Sequence, residues 1–212
     1  MQILSHRGYW NKQEVIQKNS IAAIRISLES GFGFESDLRD YRGKLVISHN
    51  IADEDAPEAE SVMKMLKEYA NSRCFAINIK ADGLAEELLR LTDTYQITNY
   101  FTFDMSVPQM ISYKEAGIPF YSRQSEYEPE PVLYKDCKGV WIDTWIEETW
   151  ITKELILRYI SDGKSVCLVS PELHGRKQKE FWQRLKDFGL NQEERVALCT
   201  DMPGQAKIFF KE

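Results

Sequence analysis

The chain has 212 residues, 43% hydrophobic and 28% charged, which is ordinary for a globular domain and enough to bury one core unaided. Its 27 basic and 33 acidic residues leave a formal charge of −6, so it lacks the basic face that nucleic acid calls for. No run approaches the ~20 apolar residues needed to cross a bilayer. The four cysteines (Cys74, Cys137, Cys167, Cys199) show no metal-finger spacing, and residues 1–6 carry no secretory pattern, so a cytoplasmic protein with free, buried thiols is expected.

Taken in order, a short apolar strand over 2–5 ends at Ser5-His6-Arg7-Gly8, and residues 9–18 read as a polar loop. Asn19-Ser20 offers an N-cap for a helix over 21–28 whose apolar spacing stops at Gly31. A second strand over 34–39 leads through a turn at Gly43 into an extension over 45–49. The acidic run over 51–60 reads as a solvated loop rather than a metal site, and Ser61 caps an amphipathic helix over 62–69. A third strand covers 75–80, and the following helix, 84–94, gathers Leu84, Leu88, Leu89 and Leu91 on one side. The fourth strand covers 100–103, a helix over 108–115 opens on a proline, and the fifth strand covers 118–122. Residues 126–131 form an acidic, proline-bearing loop. Strands over 139–143, 165–170 and 195–200 then alternate with helices over 152–160 and 177–188, and a short helix follows Pro203.

Eight strands largely alternating with helices predict an α/β protein with a parallel sheet, and in this length a single-domain (β/α)₈ barrel spanning 1–212. An open doubly wound sheet is the competing architecture, but no glycine-rich dinucleotide loop follows the first strand. Barrels carry their active sites at the C-terminal ends of the strands. By that rule His6 and Arg7, Glu35 and Asp37, and Asn78 and Lys80 end the first three strands, and His49 ends the extension. Glu35 and Asp37, at period two, share a face. Two hard oxygen ligands and two titratable imidazoles are suited to phosphoester chemistry.

His6-Arg7-Gly8, Asn19-Ser20 before a helix, Glu35-x-Asp37 and Leu45-Val-Ile-Ser-His49 together resemble the glycerophosphodiester phosphodiesterase family, one of the phosphatidylinositol phospholipase C-like barrels. Thr200-Asp201-Met-Pro203 looks like that family's closing motif. The resemblance implies a metal-dependent hydrolase acting on a small phosphodiester in lipid metabolism, with His6 and His49 as the acid/base pair. It further implies that Glu35 and Asp37 bind a divalent cation, Mg²⁺ or Ca²⁺, and that Arg7 and Lys80 neutralise the phosphate. Three departures stand out. Asn78 occupies the place of a third acidic ligand, Asn50 follows the second histidine where the family often has aspartate, and 51–60 is too short for the family's small inserted domain.

In the loop after the seventh strand, Glu172 has the parity to face the mouth, and His174 and Arg176 are placed to meet a substrate headgroup; the same loop reads equally as a capped turn before a polar helix. Asp143, Trp145 and Arg123, after the sixth and fifth strands, are candidate pocket walls, and Trp10, Trp145 and Trp150 a candidate apolar rim. Two alternatives share the main site. One is a cyclising lyase resembling the spider-venom sphingomyelinase D enzymes, and the other a phosphorylated-headgroup binding protein without turnover.

Overall fold

The computed structural model describes residues 1–10 and 16–211. Strands β1 (Gln2–His6), β2 (Gly33–Tyr41), β3 (Lys44–Ile47), β4 (Phe75–Ile79), β5 (Tyr100–Phe103), β6 (Tyr121–Gln124), β7 (Gly139–Ile142), β8 (Ser165–Val169) and β9 (Val196–Thr200) form one sheet. Its order is β5-β4-β2-β1-β9-β8-β7-β6, with every neighbouring pair parallel and β3 antiparallel to β2. The two ends of this ribbon meet at a single bridge between Thr102 and Phe120, where the Thr102 N–H donates to the Pro119 carbonyl at 2.9 Å. Eight parallel strands thus close into the expected TIM barrel.

Helices α1 (Ile21–Glu29), α2 (Ala59–Glu68), α3 (Ala85–Tyr95), α4 (Val107–Glu115), α5 (Lys153–Ser161), α6 (Lys179–Asp187) and α7 (Pro203–Lys211) surround the strands, and 125–138 joins β6 to β7 without one. None of the helices is long and apolar enough to cross a membrane. Ser20 alone caps α1, its Oγ accepting from the Ala23 N–H at 3.1 Å, while Asn19 turns elsewhere. Helix α2 begins at Ala59, before the expected cap at Ser61, because Val46 bridges Glu58 and fixes the chain there. The fifth barrel strand starts at Tyr121 rather than 118, since Ile118 and Phe120 are spent on the helix-side core and the closing bridge.

The apolar interior falls into three clusters. One lies between barrel and helices for the first half of the chain, around Leu28, Phe34, Met63 and Leu88, and a second does the same for the second half, around Ile142, Trp182 and Leu198. The third fills the barrel with Leu4, Ala76, Phe101, Phe103, Trp141, Cys167, Val169 and Cys199. Phe103 stacks on Trp141 at 3.8 Å and Phe101 on Tyr121 at 3.7 Å, so flat rings plug the barrel and give the mouth an aromatic floor. Each such fully buried large side chain stabilises the fold by roughly 1.5–3 kcal/mol.

Candidate active site

Register brings the predicted groups together. His6 on β1 sits opposite Glu35 on β2, and Asp37 opposite Asn78 on β4. Strand β2 runs past its pairing with β4 to Tyr41, turns, and returns as β3, so that His49 comes back beside Asp37. A cavity of about 300 Å³ at this end of the barrel is lined by His6, Arg7, Glu35, His49, Asn78 and Lys80 on one side and by Asp104, Asp143, Trp145 and His174 on the other, over Phe103 and Trp141.

Backbone strain sets the first wall. Arg7 and Asn19 both adopt left-handed φ, 57° and 60°, conformations that cost an ordinary residue energy and persist where the surroundings fix them. Here the Arg7 N–H donates to Glu35 Oε2 at 3.0 Å and its carbonyl accepts from the Asn19 N–H at 2.8 Å. Asn19 then donates from Nδ2 to Asp37 Oδ2 at 2.8 Å and accepts from Ser36. Gly8 follows at φ 83°, and a Cβ there would lie 2.8 Å from the Ala23 backbone, which gives the glycine of His-Arg-Gly its physical reason.

The two buried acids behave oppositely. Burial, and then the Asp37 charge, push Glu35 well above the usual carboxylate range. Burial also opposes ionisation of Asp37, but Arg7, the Asn19 amide and Lys80 outweigh it and hold Asp37 below that range. Arg7 Nε lies 3.0 Å from Asp37 Oδ2, an ion pair off the line of a hydrogen bond, and Lys80 Nζ is 3.4 Å from Oδ1.

All three histidines of the chain line this cavity, each beside an aspartate. His6 Nδ1 is 2.8 Å from Asp201 Oδ1, and Asp201 also receives Lys18 Nζ at 2.9 Å and Trp10 Nε1 at 3.1 Å. Burial works against the Asp201 charge, yet His6 and Lys18 bring its pKa down to about 2, so it is an anion and His6 Nδ1 carries the proton toward it. Burial lowers the pKa of His6 despite that partner, which favours a neutral ring whose Nε2 lies 3.9 Å from Glu35 Oε2, beyond hydrogen-bond reach. Arg7 Nη2 lies 2.9 Å from His49 Nδ1; a guanidinium only donates, so that nitrogen accepts while Arg7 stays. Were Arg7 to leave, the same Nδ1 would be free to donate to Asp37 Oδ1, 3.2 Å away. Across the mouth His174 Nε2 is 2.7 Å from Asp143 Oδ1, and its ring lies 4.6 Å from that of Trp145.

Hard donors suited to a divalent cation are present. Asn78 is 8% exposed with Oδ1 buried and unpartnered, and Glu35 is a buried carboxylate tied to the Arg7 amide. Asp37 is already engaged by Arg7, Lys80, His49 and Asn19. Among the described residues no group of three or more His, Cys, Asp or Glu is spaced to hold an ion, so the amide oxygen is needed to complete the donor set.

Three residues expected at the pocket sit elsewhere. Glu172 turns from the mouth to β9, where Oε1 accepts from Thr200 Oγ1 and from the Asp201 N–H at 3.1 Å. Arg123 lies within β6, not after it, and pairs with Glu128 at 2.7 Å and Asp104 at 3.6 Å. Arg176 likewise turns away from a headgroup, toward the loop after β7. Asp143, Trp145 and His174 do line the cavity. Sequence reasoning passed over Lys18 and Asp104, and read Asn19 only as a cap and motif residue and Asp201 only as part of a closing motif. Asp201 and Asp104 follow β9 and β5 directly, so the strand-end rule could have found them; nothing in the sequence marks Lys18.

Fold and site thus define a (β/α)₈ barrel with paired imidazoles, guanidinium, ammonium and hard oxygens at its C-terminal mouth. Solved structures share the fold over the whole chain. A protein from Galdieria sulphuraria described as a candidate glycerophosphodiester phosphodiesterase aligns with a TM-score of 0.79 at 17% identity, covering 100% of this chain and 98% of its own. Glycerophosphodiester phosphodiesterases from Parabacteroides distasonis (0.70, 16% identity, 99% of this chain and 96% of that) and Agrobacterium tumefaciens (0.67, 13%, 100% of both) do likewise. At these identities the likeness is one of fold. No family model and no curated protein matches the sequence.

Proposed function

We propose that this chain is a phosphodiesterase of the glycerophosphodiester type, hydrolysing a small phosphodiester by the action of His6 and His49. The observation that carries the reading is that two imidazoles, each beside an aspartate, line one cavity with Arg7 and Lys80. Burial favours the neutral form of His6, and His49 lies exposed beside the two cations.

The phosphoryl oxygens sit against Arg7 and Lys80, whose charges grow in worth as negative charge builds in the transition state. Drawing Arg7 toward the phosphate releases His49 Nδ1 to donate to Asp37, the arrangement in which His49 acts as the general acid. His6 Nε2 takes a proton from the attacking water as the new P–O bond forms. His49 gives its proton to the leaving alkoxide as the old P–O bond breaks, so a phosphomonoester and an alcohol result. A divalent cation, Mg²⁺ or Ca²⁺, would be held by Glu35 and Asn78 Oδ1, joined by Asp37 once Arg7 has turned, and when bound it supplies further neutralisation of the phosphoryl oxygens.

The test is hydrolysis of a glycerophosphodiester by wild type, His6→Ala and His49→Ala, with circular dichroism to check folding. Each variant is expected to lose on the order of 10²–10⁴ in kcat/KM. Retention of most activity in either would sink the two-histidine mechanism. A second reading, headgroup binding without turnover, is favoured by the engagement of Asp37 and the uncharged Asn78. Calorimetric binding with no hydrolysis under Mg²⁺, Ca²⁺ or Mn²⁺ would select it.

A further inference from the structure

The end of β5 breaks the pattern of its neighbours. Phe103 closes the strand with its ring inside the barrel, stacked on Trp141, so strand alternation would send the next side chain outward to the helices. Asp104 does not follow. Its φ of 67° is left-handed, a conformation glycine adopts freely and aspartate only at a cost, and its side chain comes back to line the cavity. Arg123 secures it there, donating from Nη1 to the Asp104 carbonyl at 3.4 Å and lying 3.6 Å from Oδ1. Glu128 holds the other side of that guanidinium at 2.7 Å. Strain kept in place at the rim of a site points to a role in that site.

What Asp104 meets is on the adjacent strand. Asn78 pairs with Phe103 on one side and with Asp37 on the other, so its strand lies between Asp104 and the two buried acids. The Asn78 side chain hydrogen-bonds to Asp104 in the sense that favours the carboxylate form. A carboxylate only accepts, so the bond comes from Nδ2, and the other end of the amide, Oδ1, is turned away from Asp104. That oxygen is buried and, among the described residues, has no partner. A buried acceptor left unpaired is costly unless a ligand fills the place it faces. Among the described residues no three acids are spaced to hold an ion, so Asp104 is not itself a third ligand beside Glu35 and Asp37. Its reach to the site runs through Asn78.

We propose that Asp104 is a positioning residue for the cation site: by holding Asn78 Nδ2 it keeps Asn78 Oδ1 aimed toward Glu35 and Asp37. The work of one acidic ligand is thereby divided between two residues, an oxygen on β4 and a negative charge just after β5. This rests on the cation part of the proposed function and not on hydrolysis.

The experiment is calorimetric titration of the metal-free protein with Mg²⁺, Ca²⁺ or Mn²⁺ alone, in the absence of any substrate. Asp104→Gly removes the carboxylate and adopts a φ of 67° without strain, so the fold is expected to stand, with circular dichroism as the check. It should raise Kd by about tenfold or more, within the ~10–100-fold that partners orienting a metal ligand govern. Asp104→Asn keeps an acceptor oxygen in the same place and should recover most of the affinity. Asn78→Ala should weaken binding as well, and Asp104→Gly added to it should weaken binding no further, because the two residues act as a unit. Additive losses would show that Asp104 acts on the ion without Asn78, and an unchanged Kd in Asp104→Gly would show that Asn78 needs no support; either overturns the proposal. Wild type that binds none of the three ions also overturns it, and if that protein still hydrolyses a phosphodiester the phosphodiesterase reading stands. The expected series of affinities without any hydrolysis upholds the positioning role and refutes the phosphodiesterase reading instead.

Discussion

At the scale of single residues, the site's character comes from how each histidine is held. An imidazole at the end of a strand is only a titratable ring; an aspartate on one nitrogen turns it into a base or an acid with a direction. Asp201 does this for His6, and its own anionic state is secured by Lys18 and by the ring it orients. Asp201→Asn keeps the shape but removes the charge that fixes the His6 tautomer. Glycerophosphodiester hydrolysis should then fall in kcat by about tenfold or more, a share of the ~10²–10⁴ that acid–base catalysis contributes, with KM nearly unchanged. An equal loss in KM would place Asp201 in substrate binding. The aspartate was visible in the sequence as part of a closing motif, but its partner was not, because 195 residues separate it from His6.

At the scale of elements, the loops after β6 and β7 are locked by one carboxylate in place of a helix. Burial disfavours charge on Glu126, yet the three amides of the facing loop outweigh it and bring its pKa down to about 2 from 4.5. The native state thus binds fewer protons than the unfolded chain between those values. The stabilisation is fully present above about pH 4.5 and lost as pH falls toward about 2. Glu126→Gln should lower the urea midpoint at pH 7, and the two proteins should converge on acidification; a pH-independent gap would show that the charge is irrelevant. Such a clamp cannot be read from sequence. An acidic, proline-bearing run shows a loop, whereas which amides it meets depends on the crossing of β6 and β7. Helices and strands were legible because apolar spacing and caps such as Ser20 are local. Boundaries slipped where tertiary contacts decided them, as at Ala59 and Tyr121. The first wall of the site was legible because strand ends on neighbouring strands must converge. The left-handed Asn19, whose side chain leaves its helix for Asp37, was not.

For the whole molecule, the barrel is a ribbon closed by one bridge between Thr102 and Phe120, whereas β1 and β9 are paired at four positions from Gln2–Ala197 to Ser5–Thr200. Local opening follows the weakest pairing, so amide exchange under native conditions should be fastest among strand residues beside the β5–β6 seam and slower where neighbours pair at four or five positions, as along β1–β9 and β2–β4. Uniform protection around the barrel would mean that closure is tighter than one bridge implies. The seam has another consequence. The strands at the two ends of the chain are neighbours in the sheet, and Met1 and Lys211 border one cleft at the base of the barrel. The strands nearest the two ends of the described chain are thus joined at four positions, while the seam between β5 and β6 is a single bridge. A permuted chain beginning at residue 118 and running through joined termini to residue 117 would have β6 first and β5 last. Its reading order would then follow the ribbon from one free edge to the other.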